Sequence, residues 1–315
     1  MFRRLRVRGG QWFWGRFLMG ELCGNVLRLD GSSDKMRGFF AALRMIIKKK
    51  GGLLCIGMLA VMAGCHGAVR EPGTVVVIIE SSPNNLDPRQ GTDAQSERLG
   101  ALIFDSLVKK DERYNLVPWL ATSWEQPDAL TWVFHLRDGV RFQNGCPLEA
   151  ADVVWTIDSL IDPKLGLVSA KSGNFQHVDR VEARDRLTVV VHMKQPDAAL
   201  LFNMSDGLFG VVPRGAGSDF GLHPVGSGPF RFVTQVQDKE VVLQRWDGAW
   251  SSGSSHHSEV RQIEFNVVPD TITSALELQK ESADAASNVL TPDMVYALRS
   301  AKGLEMSRGT GSNVW

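Results

Sequence analysis

Hairpin signals and helical stretches alternate irregularly along this chain, and that order constrains its fold more than any single motif does. Thr131 to Leu136 alternates, with Trp132, Phe134 and Leu136 on one face. Asp138-Gly139 then offers a tight turn into Val140-Arg141-Phe142, so a hairpin is expected there. Further hairpins are expected from Val178 to Met193, turning near Arg184-Asp185, and from Phe230 to Arg245, turning at Gln237-Asp238-Lys239. Between them, Leu148 to Ile161 carries Val153, Val154, Ile157, Leu160 and Ile161 at helical spacing and stops at Asp162-Pro163. Leu99, Leu102, Ile103 and Leu107 predict an amphipathic helix over 96–108. The continuous β-branched run Thr74 to Ile79 reads as a buried strand, followed by a turn-rich loop through Pro88. Ile263 to Val268 is a further strand, with a helix after Pro269-Asp270 from about Thr271 to Gln279. Another helix is expected to start at Thr291-Pro292 and stop at Gly303. Together these elements predict a mixed α/β (α+β) chain, neither a helical bundle nor a doubly wound sheet.

At 315 residues, 43% of them hydrophobic, the chain can fill more than one core. Its formal charge of zero is unevenly spread. Twelve of the 35 Lys/Arg but only three of the 35 Asp/Glu precede Cys65, leaving 23 basic and 32 acidic residues from there on. An acidic body argues against nucleic-acid binding, which needs a basic footprint.

The basic residues belong to a targeting segment. Lys48-Lys49-Lys50 precede the apolar run Leu53 to Met62, which is shorter than the roughly 20 residues a spanning helix needs. Small residues then lead into Met62-Ala63-Gly64-Cys65, which resembles the lipobox of bacterial lipoproteins, with Cys65 as the lipid-attachment residue. Ordinary secretory cleavage and an uncleaved anchor are the alternatives. Residues 1–44 fit badly before such a signal and are expected to be a mis-called upstream extension, with 45–64 the signal peptide and 65–73 a tether. Cys146 is then the one remaining thiol of the mature body and reads as a loop residue, with no disulfide available to it.

No catalytic constellation stands out. There is no Gly-x-Ser-x-Gly elbow, no His-Glu-x-x-His helix and no phosphate-cradling loop, so no enzyme, metal site or cofactor is expected. Gly226-Ser227-Gly228-Pro229 reads as a tight turn, since Pro229 removes a backbone donor. His256-His257 lie in a Ser-rich loop without the spacing of a ligand set. Trp119, Trp124, Trp246 and Trp250 could line a solute pocket, whereas Trp132 and Trp155 fall on apolar faces and read as core.

Several ordered segments carry a family resemblance. Asn85-Leu86-Asp87-Pro88, Ile103 to Leu107, Leu116 to Glu125, Trp132 to Val154, Val225 to Phe230 and Val268-Pro269-Asp270 are similar to landmarks of the bacterial solute-binding proteins for oligopeptides, dipeptides and nickel. The resemblance implies a periplasmic-binding-protein-like, two-lobed fold with an extra domain. The first lobe would hold 74–105 and 206–262, the extra domain 106–205, and an incomplete second lobe would begin at 263 and run to 315. It implies a monomeric receptor on the periplasmic or extracytoplasmic face, held by its lipid anchor. There it would capture a small solute such as a peptide and deliver it to an ABC permease driven by ATPase subunits. Because family members are longer, the 315-residue chain alone is expected to bind solute poorly. Strand-to-loop junctions are the expected contact points, which selects Ser81, Ser82, Pro83 and Asn84 after the first strand and Asn313 and Trp315 at the end. A lipid-anchored envelope hydrolase and a non-transporting solute sensor on the same fold remain open.

Overall fold

In the computed structural model Thr74–Ile79 forms strand β1, as its unbroken β-branched run dictates, and both of its faces are buried. The described residues are 71–304 apart from 112, 206, 208, 254–258, 300, 302 and 303. Of the residues before 71 only a separate antiparallel ribbon, Arg3–Arg6 with Trp12–Gly15, is described. The expected signal segment, Cys65, the His256-His257 pair, the stop at Gly303, and Asn313 and Trp315 lie outside the described residues.

After β1 come helix α1 (Ala94–Ile103), strands β2 (Val108–Lys110), β3 (Leu116–Pro118), β4 (Ala121–Asp128) and β5 (Thr131–Leu136), and helix α2 (Ala150–Ile161). Strands β6 (Val178–Ala183) and β7 (Thr188–Met193) precede the short helix α3 (Leu200–Asn203). The last elements are β8 (Phe230–Val236), β9 (Glu240–Arg245), β10 (Gln262–Val267), α4 (Thr271–Gln279), β11 (Ala285–Ser287) and α5 (Pro292–Leu298).

These strands build two main sheets. One runs β8-β9-β10-β1-β11; β9 is antiparallel to both β8 and β10, while β10, β1 and β11 are parallel. Leu99 and Ile103 of α1 pack on one face of it with Ile79, Val241, Leu243 and Phe265. On the other face Val76 and Ile78 meet Ala275 and Leu278 of α4 and Leu298 of α5. Each fully buried Leu or Ile contributes about 1.5–3 kcal/mol, so a central strand buried on both sides anchors the sheet. This sheet crosses the boundary expected at residue 263: Gln262–Val267 pairs with Thr74–Ile79 along its whole length, and Ala285–Ser287 pairs on the far side. The second sheet runs β4-β5-β7-β6, is antiparallel throughout, and packs Phe134, Leu136, Val189 and Val191 against Val153 and Ile157 of α2.

Two expectations are corrected. The helix expected over 96–108 starts at the Asp93 cap and ends at Ile103. Phe104 turns extended there, and Leu107 enters the core of the second sheet instead. The hairpin expected from Thr131 to Phe142 does not form, because β5 is flanked by β4 and β7. Gly139 makes its turn at φ 77°, but residues 140–148 then fold on themselves, with hydrogen bonds from Phe142 N to Cys146 O (2.8 Å) and Leu148 N to Val140 O (2.9 Å). Burying Val140, Phe142 and Leu148 in one core outweighs strand pairing there. Cys146 is exposed in that loop.

The two sheets meet through buried polar joints. Gln143 donates to the carbonyls of Ile103 (3.2 Å), Gly228 (3.1 Å) and Phe230 (2.9 Å), and accepts from Gly226 N (3.1 Å). Gly226 and Gly228 lie so close to α1 that a Cβ at either position would collide with backbone; at Gly228 it would sit 2.6 Å from the Leu102 carbonyl oxygen. Gly226→Ala should therefore cost about 3 kcal/mol or more, as overpacking a rigid joint does. Gly100→Ala, with nothing within 4 Å of the added methyl, should stabilise the helix by about 0.5–1 kcal/mol. Urea unfolding of both variants checks the contrast, and equal stabilities would contradict it.

Candidate functional site

Three parallel strands, β10, β1 and β11, end at the same edge of the first sheet, and the turn of the β8–β9 hairpin reaches that edge as well. In open sheets with parallel strands the crevice beyond the carboxyl ends is where ligands bind, because backbone groups and loop side chains converge there without filling it. Here the edge comprises the loop 80–86 after β1, the turn 237–239, the segment 268–270 after β10 and the loop that begins at Asn288.

The first loop is held from below by a buried ion pair. Arg89 and Asp87 are 1% and 0% exposed and lie 2.7 Å apart. The Arg89 fork also donates to Ser159 Oγ (3.2 Å) on α2 and to the carbonyls of Ala216 (3.0 Å) and Gly217 (2.9 Å). Its guanidinium carbon sits 5.7 Å from the centre of the Phe220 ring. Lys171 adds a hydrogen bond from Nζ to Pro88 O (3.0 Å), and Ser169 Oγ donates to Arg89 O. Every donor and acceptor of the pair is thus matched, which a buried charge requires.

From the other side the loop is tied to the start of α1. Asp93 caps the helix through Gln95 N and Ser96 N (both 3.0 Å) and also accepts from Asn84 N (3.0 Å). Burial opposes ionisation of Asp93, but the Ser96 and Asn84 hydrogen bonds outweigh it and hold its pKa below the usual carboxylate value. The cap therefore contributes stability at neutral pH that is lost as pH falls through that lowered value.

Of the residues selected from sequence, Ser81 and Asn84 are exposed and Ser82 and Pro83 are buried. Ser82 Oγ accepts from Asp238 N (2.8 Å), which locks the β8–β9 turn onto the loop. Asp238 itself has a left-handed backbone (φ 56°). The Asn84 side chain accepts from Ser96 Oγ (3.0 Å), so part of its hydrogen-bonding capacity serves the loop. An open cleft of about 610 Å³ adjoins the edge, lined by Asn84, Asn85, Leu86, the segment 218–223 and the second half of β8.

Sequence reasoning missed the residues that α1 sends to this edge. Gln95 Nε2 donates to Glu80 Oε2 (2.6 Å) at the end of β1. Arg98, with the Asn288 amide oxygen turned towards it, donates to that oxygen from both terminal nitrogens (2.5 and 3.3 Å) at the end of β11. No local pattern announces this, because β11 is only Ala-Ala-Ser and lies beside β1 through sheet order alone. The Trp candidates resolve differently. Trp119 and Trp250 donate to the buried Asp105 carboxylate (2.7 and 2.9 Å), which also accepts from Ser227 Oγ (2.8 Å). Both indoles are therefore committed to a structural joint. Trp132 and Trp155 pack against the cores of the two sheets, as their apolar faces predict. Among the described residues no group of three or more His, Cys, Asp or Glu is placed to hold a metal ion.

Comparison with known proteins identifies the fold and the family. The chain superimposes on the oligopeptide-binding protein AppA from Bacillus subtilis, solved with a nonapeptide, with a TM-score of 0.67 at 21% identity, over 73% of this chain and 46% of that one. It matches NikZ from Campylobacter jejuni, solved with Ni(L-His), with a TM-score of 0.65 at 22% identity, over 74% and 46%. Both are two-lobed periplasmic binding proteins, so the mixed α/β fold is that of this class. The profile described as bacterial extracellular solute-binding proteins, family 5 Middle, matches residues 115–315, and the chain belongs to that family. Among curated relatives, the glutathione-binding protein GsiB of Escherichia coli O1:K1 is 30% identical over 243 residues, which is 75% of this chain. The chain spans about half the length of the curated relatives it matches, 46% in that case.

Arg89→Met should cost about 3–5 kcal/mol, since it leaves the Asp87 carboxylate buried without a partner. The double variant R89M/D87L, which removes both charges, should be clearly milder. Chemical denaturation checks this, and a double variant as unstable as R89M would contradict it.

Proposed function

We propose that this chain is the solute-capturing component of an ABC importer, acting outside the cytoplasmic membrane on peptides or peptide-like solutes. The observation that carries the reading is the family membership joined to an open edge where three parallel strands end beside a cleft. The relatives' names, which speak of glutathione, an oligopeptide and a nickel–histidine complex, support a small polar solute. The residues at the edge offer amides, hydroxyls and a guanidinium, which is the chemistry of reversible binding. Solute would be held by Ser81, by the backbone around Ser82 and Pro83, and by Asn84, with no covalent step. Binding energy would shift an open–closed equilibrium, and the closed form would dock on a permease powered by ATPase subunits.

The five-stranded sheet with α1, α4 and α5 would serve as the first lobe, the four-stranded sheet with α2 as the family's extra domain, and the chain beyond α5 would lead towards the second lobe. Cys65 would carry the lipid that tethers the receptor to the membrane. Palmitate labelling in the native host should mark the full chain and leave Cys65→Ser unlabelled; labelling of that variant would contradict the anchor.

Thermal unfolding with candidate solutes tests the capture reading. A solute at 100 times its Kd raises stability by about 2.7 kcal/mol, a shift of several degrees. Di- and tripeptides or glutathione should produce it once supplied at high concentration, since the 315-residue chain is expected to bind only weakly, and native mass spectrometry should then show one solute per chain. No shift with any of them or with nickel–histidine, together with turnover of a peptide or ester substrate, would replace binding with hydrolysis.

A further inference from the structure

Helix α1 presents Gln95 and Arg98 on one face, three residues apart, and each reaches the end of a different parallel strand. The two contacts are not equivalent. Gln95 engages a carboxylate, Glu80, whereas Arg98 engages only the neutral amide of Asn288. Among the described residues no carboxylate lies within ion-pairing distance of Arg98. The arginine that braces the same loop, Arg89, has Asp87 as a partner.

A guanidinium carries five N–H donors in a planar fork, and the Asn288 oxygen uses two nitrogens of it. The remaining donors and the full positive charge stay available at the mouth of the edge. Arg98 is partly buried, next to the fully buried Leu99, and Asn288 is followed by the buried Val289. A charge on that apolar border attracts an anion more strongly than one on an open surface. Asn288 has a left-handed backbone (φ 60°), a conformation that Asn adopts more readily than most residues, and its amide fixes the fork in orientation. A preoriented, uncompensated fork is the geometry that receives a carboxylate through paired hydrogen bonds.

Resting on the capture reading, we propose that Arg98 is the specificity-determining residue of this edge. It binds a carboxylate of the solute, with Asn288 as its positioning residue, so the receptor selects solutes with a free carboxylate over their neutral counterparts. Calorimetric titration of the full chain with glutathione and with trialanine, each as free acid and as carboxamide, tests this. The free acids should bind wild type about tenfold or more tightly than the amides, as expected of charge-assisted pairs. Arg98→Gln should abolish that preference, lowering free-acid affinity to the level of the amide, Arg98→Lys should retain part of it, and Asn288→Ala should weaken it without changing net charge. Equal binding of acid and amide by wild type overturns the proposal while leaving solute capture intact, as does an undiminished preference in R98Q. If R98Q does not fold, an undiminished preference in N288A overturns it. No binding of either form by wild type removes the capture reading and this proposal together.

Discussion

The buried Asp87–Arg89 pair is the interaction on which the candidate site depends. It is local in sequence but long in reach, because the guanidinium spans from the first loop to Ser159 on α2 and to the backbone of Ala216 and Gly217. A loop of Ser, Pro and Asn has little apolar surface with which to fix itself. The ion pair supplies that rigidity from beneath, and the Asp93 cap supplies it from the side. What remains facing outward, Ser81 and Asn84, is therefore presented by a stiff support.

Similar joints hold the two sheets in one arrangement. Asp105 gathers Trp119, Trp250 and Ser227, and Gln143 gathers three carbonyls around the Gly226–Gly228 turn. Lys109 and Arg137 lie over the Trp119 and Trp250 rings at 4.3 and 4.6 Å, placing positive charge around the buried carboxylate without direct pairing. Such fully satisfied polar networks specify one packing and resist slippage. The proposed capture of solute needs this property in the wall against which a solute would be read.

Much of the architecture was legible in the sequence. Thr74–Ile79, Thr131–Leu136 and Thr271–Gln279 form as their residues predict, because β-branching, alternation and an Asp cap act locally. The hairpins 178–193 and 230–245 also form, each turning where the polar residues fall. What escaped was decided by partners distant in the chain. Val140 to Phe142 satisfied a hairpin pattern, but the place beside β5 went to β7, whose Val189 and Val191 complete the same core. The pairing across residue 263 escaped for the same reason, since β10 finds its partner nearly 190 residues earlier in β1.

For the candidate site, the strand-to-loop rule led to this edge through Ser81 to Asn84, yet it could not see α1 or β11. Arg98 looks like an ordinary solvent-facing helix residue, and Ala285-Ala286-Ser287 carries no strand signal. Their meeting follows from sheet order and exists only in three dimensions.

The central claim is that solute is read at the carboxyl edge of the parallel strands. Amide chemical-shift mapping of the isotopically labelled chain during titration with a bound peptide tests it most directly. Shifts concentrated at residues 80–84, 237–239 and 287–290 are the predicted result. Shifts confined to the outer face of the four-stranded sheet, with the edge unmoved, would contradict the account.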